Sequence, residues 1–273
     1  MKYQGTGRGD YTDLKQSHFK SFMNLHLKIT KSIIAKNSWA NKTYCYYDIC
    51  AGDGGDVKSA GSPIIASKLI DEIGMMARKV FIEENPRNFN TMKGRLGDYA
   101  SGSSLLNEDH SLFLTKSVFY EKHFGILYYD PNGDPFVRNK NMIVDFYNKR
   151  NTDKIDFLLY ASFTNIKRVK CSPLTRRTWG FIDDIERINK KHWLVREPVG
   201  QQQWTFLFGT NWTDFPKFKK IGLHDINSRE GKKIMLTGNH SKKEILENNI
   251  DIPKIPEQMD LFPRFSNGLE IAL

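Results

Sequence analysis

Apolar positions along the chain fall into two rhythms. From His18 to Lys36, Phe19, Phe22, Met23, Leu25, Leu27, Ile29, Ile33 and Ile34 recur at helical spacing and predict a helix with a broad apolar face. Tyr44 to Cys50 is instead nearly continuous apolar and aromatic sequence, the mark of a strand buried on both faces. The alternation continues. Ser62 as N-cap and Pro63 at the first helical position open a helix through Leu69 and Ile70. Arg78 to Glu83 reads as a short buried strand, and Pro86 to Leu96 returns to helical spacing through Phe89, Met92 and Leu96. Leu105 to His110 marks a strand end and turn before Leu112 to Phe119. Phe124 to Tyr129 predicts a central strand, Met142 to Lys149 a helix and Asp156 to Phe163 a fifth strand. His192 to Pro198 and Gln203 to Asn211 flank Gly200 as a hairpin. Strands alternating with helices predict an α/β fold with a Rossmann-like, mostly parallel sheet that ends in an antiparallel hairpin. At 273 residues the chain can bury one substantial core. That places the main domain, with its preceding N-terminal helix, at 1–212, and a basic extension packed on it at 213–273, with a short helix capped at Ser241 and Glu244.

Chemistry gathers at the strand ends. After Tyr47 the chain breaks into Asp48-Ile49-Cys50-Ala51-Gly52-Asp53-Gly54-Gly55, where the glycines permit positive φ and close approach to a ligand, while Asp48 and Asp53 offer acceptors. A pyrophosphate needs amide donors and tolerates no nearby carboxylate, so this turn suits a cationic, phosphate-free ligand. Read without a ligand, it is a plain strand-to-helix turn. Glu83 ends the next strand about 30 residues on, where a sheet of this kind places the acid that holds a ribose diol. Its neighbour Glu84 points the other way. Asp130-Pro131-Asn132-Gly133 follows Tyr129 at the carboxyl end of the central strand, either as a type I turn or as a second functional loop.

Charge adds a partner. The formal net charge is +10, and most of the excess lies in residues 137–273, with 24 Lys+Arg against 16 Asp+Glu. A positive field of that size favours polyanions through counterion release. Lys167, Arg168, Lys170, Arg176 and Arg177, gathered before Trp179, predict a basic loop of the kind that touches phosphates. Nucleic acid is the expected partner. Three cysteines without a Cys-x-x-Cys pair, Cys45, Cys50 and Cys171, indicate neither a disulfide framework nor a metal site, and no metal is expected. No apolar run approaches the roughly 20 residues of a membrane span, so the expected setting is cytoplasmic with no membrane partner.

Taken together, Asp48 to Gly55, Glu83, Asp109 and Asp130 to Gly133 resemble the ordered motifs of class I S-adenosylmethionine-dependent methyltransferases over residues 18–136. The Ala51-Gly52 loop, the Gly61-Ser62-Pro63-Ile64-Ile65-Ala66 helix start, Val80-Phe81-Ile82-Glu83 and Asp130-Pro131-Asn132-Gly133 are similar to three-Cys-motif partner proteins. The Asp-Pro pair also resembles the Asp/Asn-Pro-Pro-aromatic motif of nucleic-acid adenine amino-methyltransferases. This resemblance implies S-adenosylmethionine as cofactor, held by Asp48, Ala51, Gly52, Gly54 and Glu83, with Asp109, or Glu108 as the alternative, accepting from the cofactor's adenine amino group. It implies catalysis by Asp130 and Pro131, with Asn132 in the place of the second proline and Phe136, Tyr128 or Tyr129 supplying the ring. An aryl amine is a poor nucleophile, and acceptors on both its N–H bonds draw the nitrogen toward tetrahedral geometry. The implied reaction is methylation of the exocyclic amino group of a base, adenine in DNA first and RNA second. A protein or small-molecule acceptor, or a non-catalytic nucleic-acid-binding partner protein, are the alternatives.

Overall fold

The structure, a computed structural model, describes residues 12–36, 43–55, 59–131, 135–170, 185–200, 203–213 and 215–239; the side chains of 135–139, 168–170, 215–216 and 239 lie outside that description. Eight strands form one sheet in the order β3-β2-β1-β4-β5-β7-β6-β8. They are β1 (Thr43–Asp48), β2 (Ala77–Ile82), β3 (Ser103–Leu106), β4 (His123–Tyr129), β5 (Ile155–Ser162), β6 (His192–Arg196), β7 (Trp204–Thr210) and β8 (Leu223–Asp225). The first five pair in parallel, and Asp48 stands level with Phe81 of β2 and Tyr128 of β4. Their carboxyl ends therefore share one edge. β7 runs antiparallel between β5 and β6, and β8 adds an antiparallel edge strand to β6. The strand order reverses between β1 and β4, where an open α/β sheet forms its ligand crevice.

The apolar run of β1 resolves into two faces by the strand period. Tyr44 and Tyr46 join Tyr128, Phe206 and Phe208 under α1 (Thr12–Lys36), α2 (Ser62–Ile73) and α3 (Pro86–Leu96). Cys45 and Tyr47 join Leu127, Tyr129 and Phe157 under α4 (His110–Lys116), α5 (Pro135–Tyr147), α6 (Phe163–Lys170) and α7 (Arg229–Asn239). Close approach of β4 to β1 depends on Gly125, at φ +143°, where a Cβ would lie 2.0 Å from the Cys45 carbonyl oxygen.

Several elements differ from the sequence reading. α1 begins at Thr12 rather than His18, because its first turn buries no core residue and so carries no apolar signal. Gly61, not Ser62, is the N-cap of α2; the Ser62 hydroxyl donates to Asp48 instead. α5 starts at Pro135 rather than Met142. Lys167, Arg168 and Lys170 stand on α6 rather than in a loop, since Phe163 and Ile166 bury one helical face and Ser162 accepts from the Asn165 amide. Residues 223–239 extend the sheet through β8 and its cover through Ile234 and Met235 of α7. The helix expected at Ser241 and Glu244 lies outside the described residues.

Candidate functional site

β1 delivers its backbone into a tight turn. The Ile49 amide bonds to the Tyr128 carbonyl at 3.1 Å and the Ala51 amide to the Ile82 carbonyl at 2.9 Å, tying the turn to both neighbouring strands. Gly52, Gly54 and Gly55 follow at φ +65°, +79° and +83°. A Cβ on Gly55 would lie 2.1 Å from the Gly61 nitrogen, whereas one on Gly52 would meet nothing within 4 Å. The turn is closed at its back and open at its front.

The carboxylates around it do different work. Asp48 is fully buried beneath the turn, where its Oδ2 accepts from the Ser62 hydroxyl at 2.6 Å and the Tyr46 hydroxyl at 3.2 Å, while Oδ1 has no partner of hydrogen-bonding geometry. Burial pushes its carboxyl up to about 7, with the nearby Asp130 charge adding to the rise and the Ser62 hydrogen bond opposing it. Asp48 braces the turn from below. Asp53 accepts from the Gly55 amide at 3.0 Å and pairs with Arg95 of α3 at 2.8 Å, so its charge is taken up locally. Glu83, just past β2, accepts from the Gly52 amide at 2.9 Å through Oε2 and from the Asn85 amide at 2.9 Å through Oε1. Its carboxylate is thereby fixed beside the open front of the turn, and Glu84 is exposed as expected. Asp109 is the N-cap of α4, and its hydrogen bond from the Ser111 amide at 2.6 Å holds its carboxyl below the usual range.

A cleft of about 140 Å³ joins these parts, lined by Thr12, Lys15, Gln16 and Phe19 of α1, the turn from Cys50 to Gly55, Gly61, Ser62, Tyr128 and Asp130. Asp130, at the carboxyl end of β4, accepts a hydrogen bond from Lys15 Nζ. The same ammonium sits 4.5 Å from the centre of the Tyr160 ring. Tyr160 in turn stacks on Trp204, with ring centres 4.8 Å apart and planes 4° from parallel. The register of β5 with β7 sets Ser162 opposite Trp204, so this aromatic pair belongs to the same sheet edge as the cleft.

The structure thus brings Ala51, Gly52, Gly54 and Asp130 together around one cleft, with Glu83 bonded to its rim and Asp48 behind it, while Asp109 caps α4 and is not part of the cleft lining. Pro131 is buried beside Asp130. Asn132 lies outside the described residues, as does the side chain of Phe136, whose backbone is in the first turn of α5. Lys167 donates to Gln203 Oε1 at 2.9 Å; the side chains of Arg168 and Lys170, and all of Arg176 and Arg177, fall outside the description. Sequence reasoning missed Lys15, Tyr160, Trp204 and Arg95. A signal for Lys15 did exist: the apolar stripe Phe19, Phe22, His26 continues backward by four residues onto it.

No family model matches the chain, and no curated protein matches it. Among solved structures it is similar to protein LPL1258 from Legionella pneumophila str. Philadelphia 1, at 13% identity and a TM-score of 0.54 over 79% of this chain and 91% of that one. It also aligns with a putative methyltransferase, yhhF, from Escherichia coli (16% identity, TM-score 0.37, 68% and 87% covered). A putative rRNA-methylase from Clostridium thermocellum aligns at 9% identity and a TM-score of 0.42, over 76% of this chain and 96% of that one. The strand order and the likeness to LPL1258 show an α/β, Rossmann-like fold whose sheet is mostly parallel and ends in antiparallel strands. Among the described residues, no group of three or more His, Cys, Asp or Glu could hold a metal ion, and no helix is long and apolar enough to cross a membrane.

Proposed function

We propose that the chain is an S-adenosylmethionine-dependent methyltransferase acting on the exocyclic amino group of a nucleic-acid base, with adenine N6 in DNA the first choice and RNA the second. The observation that carries this reading is Asp130: a carboxylate at the carboxyl end of β4, facing the same cleft as the glycine turn and already holding an amine nitrogen, that of Lys15. The residues present fit the donor. The turn is open at Gly52, Glu83 has both oxygens oriented, and the acids around the cleft favour a cationic ligand over a phosphate. Ala51, Gly52, Gly54 and Glu83 would hold it, with Asp48 bracing them and Asp109 beside the adenine. When bound, it supplies an activated methyl group. The chain's own part is to orient the acceptor nitrogen, with the Asp130 carboxylate and the Pro131 carbonyl accepting its two N–H bonds. Tyr160 and Trp204 offer an aromatic surface close by, and the basic residues of 167–177 would hold phosphates.

A second reading takes an aliphatic amine of a protein or small molecule as acceptor, since the amine that Asp130 holds here is aliphatic. Transfer of labelled methyl to DNA, RNA and protein, followed by nucleoside and peptide mass spectrometry, decides between them. The first reading expects N6-methyladenosine or its deoxy form. Turnover per folded molecule should be almost abolished in Asp130→Ala and measurable in Asp130→Asn, whose amide oxygen still accepts, with cofactor affinity within a few fold of the parent in both. An active Asp130→Ala enzyme, or a methyl on ring carbon or ribose oxygen, would sink the amino-transfer reading. Nucleic-acid binding without cofactor binding would leave a non-catalytic partner protein.

A further inference from the structure

α1 is fastened to the sheet at two points. His26 Nε2 lies 3.0 Å from Asp156 Oδ2 near the start of β5, and Tyr44 hydroxyl lies 3.2 Å from His26 Nδ1. Eleven residues earlier, about 16 Å along the helix axis, Lys15 reaches the opposite, carboxyl edge of the sheet at Asp130. The helix register therefore fixes where the Lys15 amine stands. Lys20, Lys28, Lys31 and Lys36 of the same helix are exposed; Lys15 alone among them is turned inward, its side chain 26% exposed against a 15% exposed Asp130.

We propose that Lys15 is a self-methylation site, its Nζ taking a methyl group from S-adenosylmethionine bound in the same cleft; this rests on the reading of that cleft as the methyl-donor site. Three features of the amine's surroundings serve this chemistry. A carboxylate capable of taking a proton is bonded to it, an aromatic face lies 4.5 Å beneath it, and it lines the cleft with the glycine turn. An ammonium has no lone pair, so Lys15 must first pass one proton to Asp130. The Nζ lone pair then forms the bond to the methyl carbon as the carbon–sulfur bond breaks, its electron pair leaving on sulfur in S-adenosylhomocysteine. Lys15 ends as a methylammonium, still charged, with N–H groups for Asp130 and a methyl for the Tyr160 face. Asp130 releases its proton to water.

This chemistry separates from base methylation at one atom. An exocyclic amino nitrogen enters neutral and sheds a proton only after the methyl arrives, whereas Lys15 must shed one to Asp130 before it has a lone pair to attack with. Asp130→Asn should therefore lose Lys15 methylation while keeping measurable transfer to a base.

The test incubates the full chain with methyl-deuterated S-adenosylmethionine and no nucleic acid, then maps peptides by mass spectrometry. The expected result is label on Lys15 and none on Lys20 or Lys28, with a first-order rate constant unchanged across a wide range of protein concentration. Independently of turnover, the Lys15 ε-methylene resonance, assigned through Lys15→Arg, should move when S-adenosylhomocysteine is added. Binding of cofactor by calorimetry with Lys15 unlabelled overturns the inference and leaves the proposed function standing. Label spread over exposed lysines, or a rate that rises with protein concentration, also overturns it. Failure to bind cofactor overturns both readings.

Discussion

The Asp48 carboxyl sits in the interior beneath the glycine turn, and its protonation is therefore coupled to folding. Sequence places it at the end of β1 as a ligand acceptor, but the structure buries it under the turn, bonded to Ser62 and Tyr46. With the folded carboxyl raised to about 7, the native state holds a proton that the unfolded chain releases near 4. Stability contributed by that proton is fully present below about pH 4 and is lost as pH rises through 7. Asp48→Asn, which keeps an acceptor but cannot ionise, should gain on the parent in urea midpoint as pH goes from 4.5 to 8. A constant difference across that range would show that Asp48 does not titrate there. Glu83 has the opposite character, since its two oxygens are fixed by amides at the cleft rim. Removing an acceptor for two hydroxyls, each hydrogen bond to a charged group contributing about 1.5–3 kcal/mol, should weaken S-adenosylmethionine binding at least roughly tenfold in Glu83→Ala. Unchanged affinity by calorimetry in a folded variant would remove the assignment.

Two glycines separate the demands of the fold from those of the site within β1 and its neighbours. Gly125 lets β4 approach β1, and an alanine there would meet the Cys45 carbonyl at 2.0 Å in a backbone region that side chains rarely adopt. Gly125→Ala should lower stability by about 1–3 kcal/mol or more, measured by urea unfolding. Gly52→Ala meets no atom within 4 Å and carries only the backbone strain of φ +65°, about 1–2 kcal/mol. Its methyl would project into open space at the front of the turn, so its main effect should be on cofactor affinity. Equal stability losses with no affinity change in Gly52→Ala would contradict that division. The elements themselves were legible wherever burial sets the pattern: β1, β2, β4, β5 and the β6–β7 hairpin all lie where apolar runs predicted them. What escaped lines the cleft or touches a residue near it. The first turn of α1 packs little against the core, so only the backward continuation of the Phe19, Phe22, His26 stripe marked it, yet it carries Lys15 and Gln16 into the cleft. Tyr160 and Trp204 were lost for another reason: their stacking is a consequence of β5–β7 register, which no local pattern encodes. Arg95 was hidden likewise, meeting Asp53 across 42 residues of sequence.

Across the whole molecule, the carboxyl ends of β1, β4 and β5, the amino end of β7 and the start of α6 share one edge, and the cleft opens there. Most of the +10 excess belongs to residues 137–273, of which β5, β7 and α6 reach that edge while the cleft itself is lined by residues 12–130. Field alone cannot distinguish a binding track from a surface that is merely soluble, because both raise the local concentration of any anion. The salt dependence of binding does distinguish them, since each phosphate contact releases condensed counterions and adds about 0.9 to the slope of log K against log salt. If Arg176 and Arg177 each neutralise a phosphate, replacing both by Ala should flatten that slope by about two while weakening all duplex sequences alike. Loss confined to one sequence would mean that these arginines read bases rather than hold the backbone. A slope equal to the parent's would return residues 167–177 to ordinary solvated surface, and the choice of a nucleic acid over a protein or small-molecule amine would then rest on the product of methyl transfer alone.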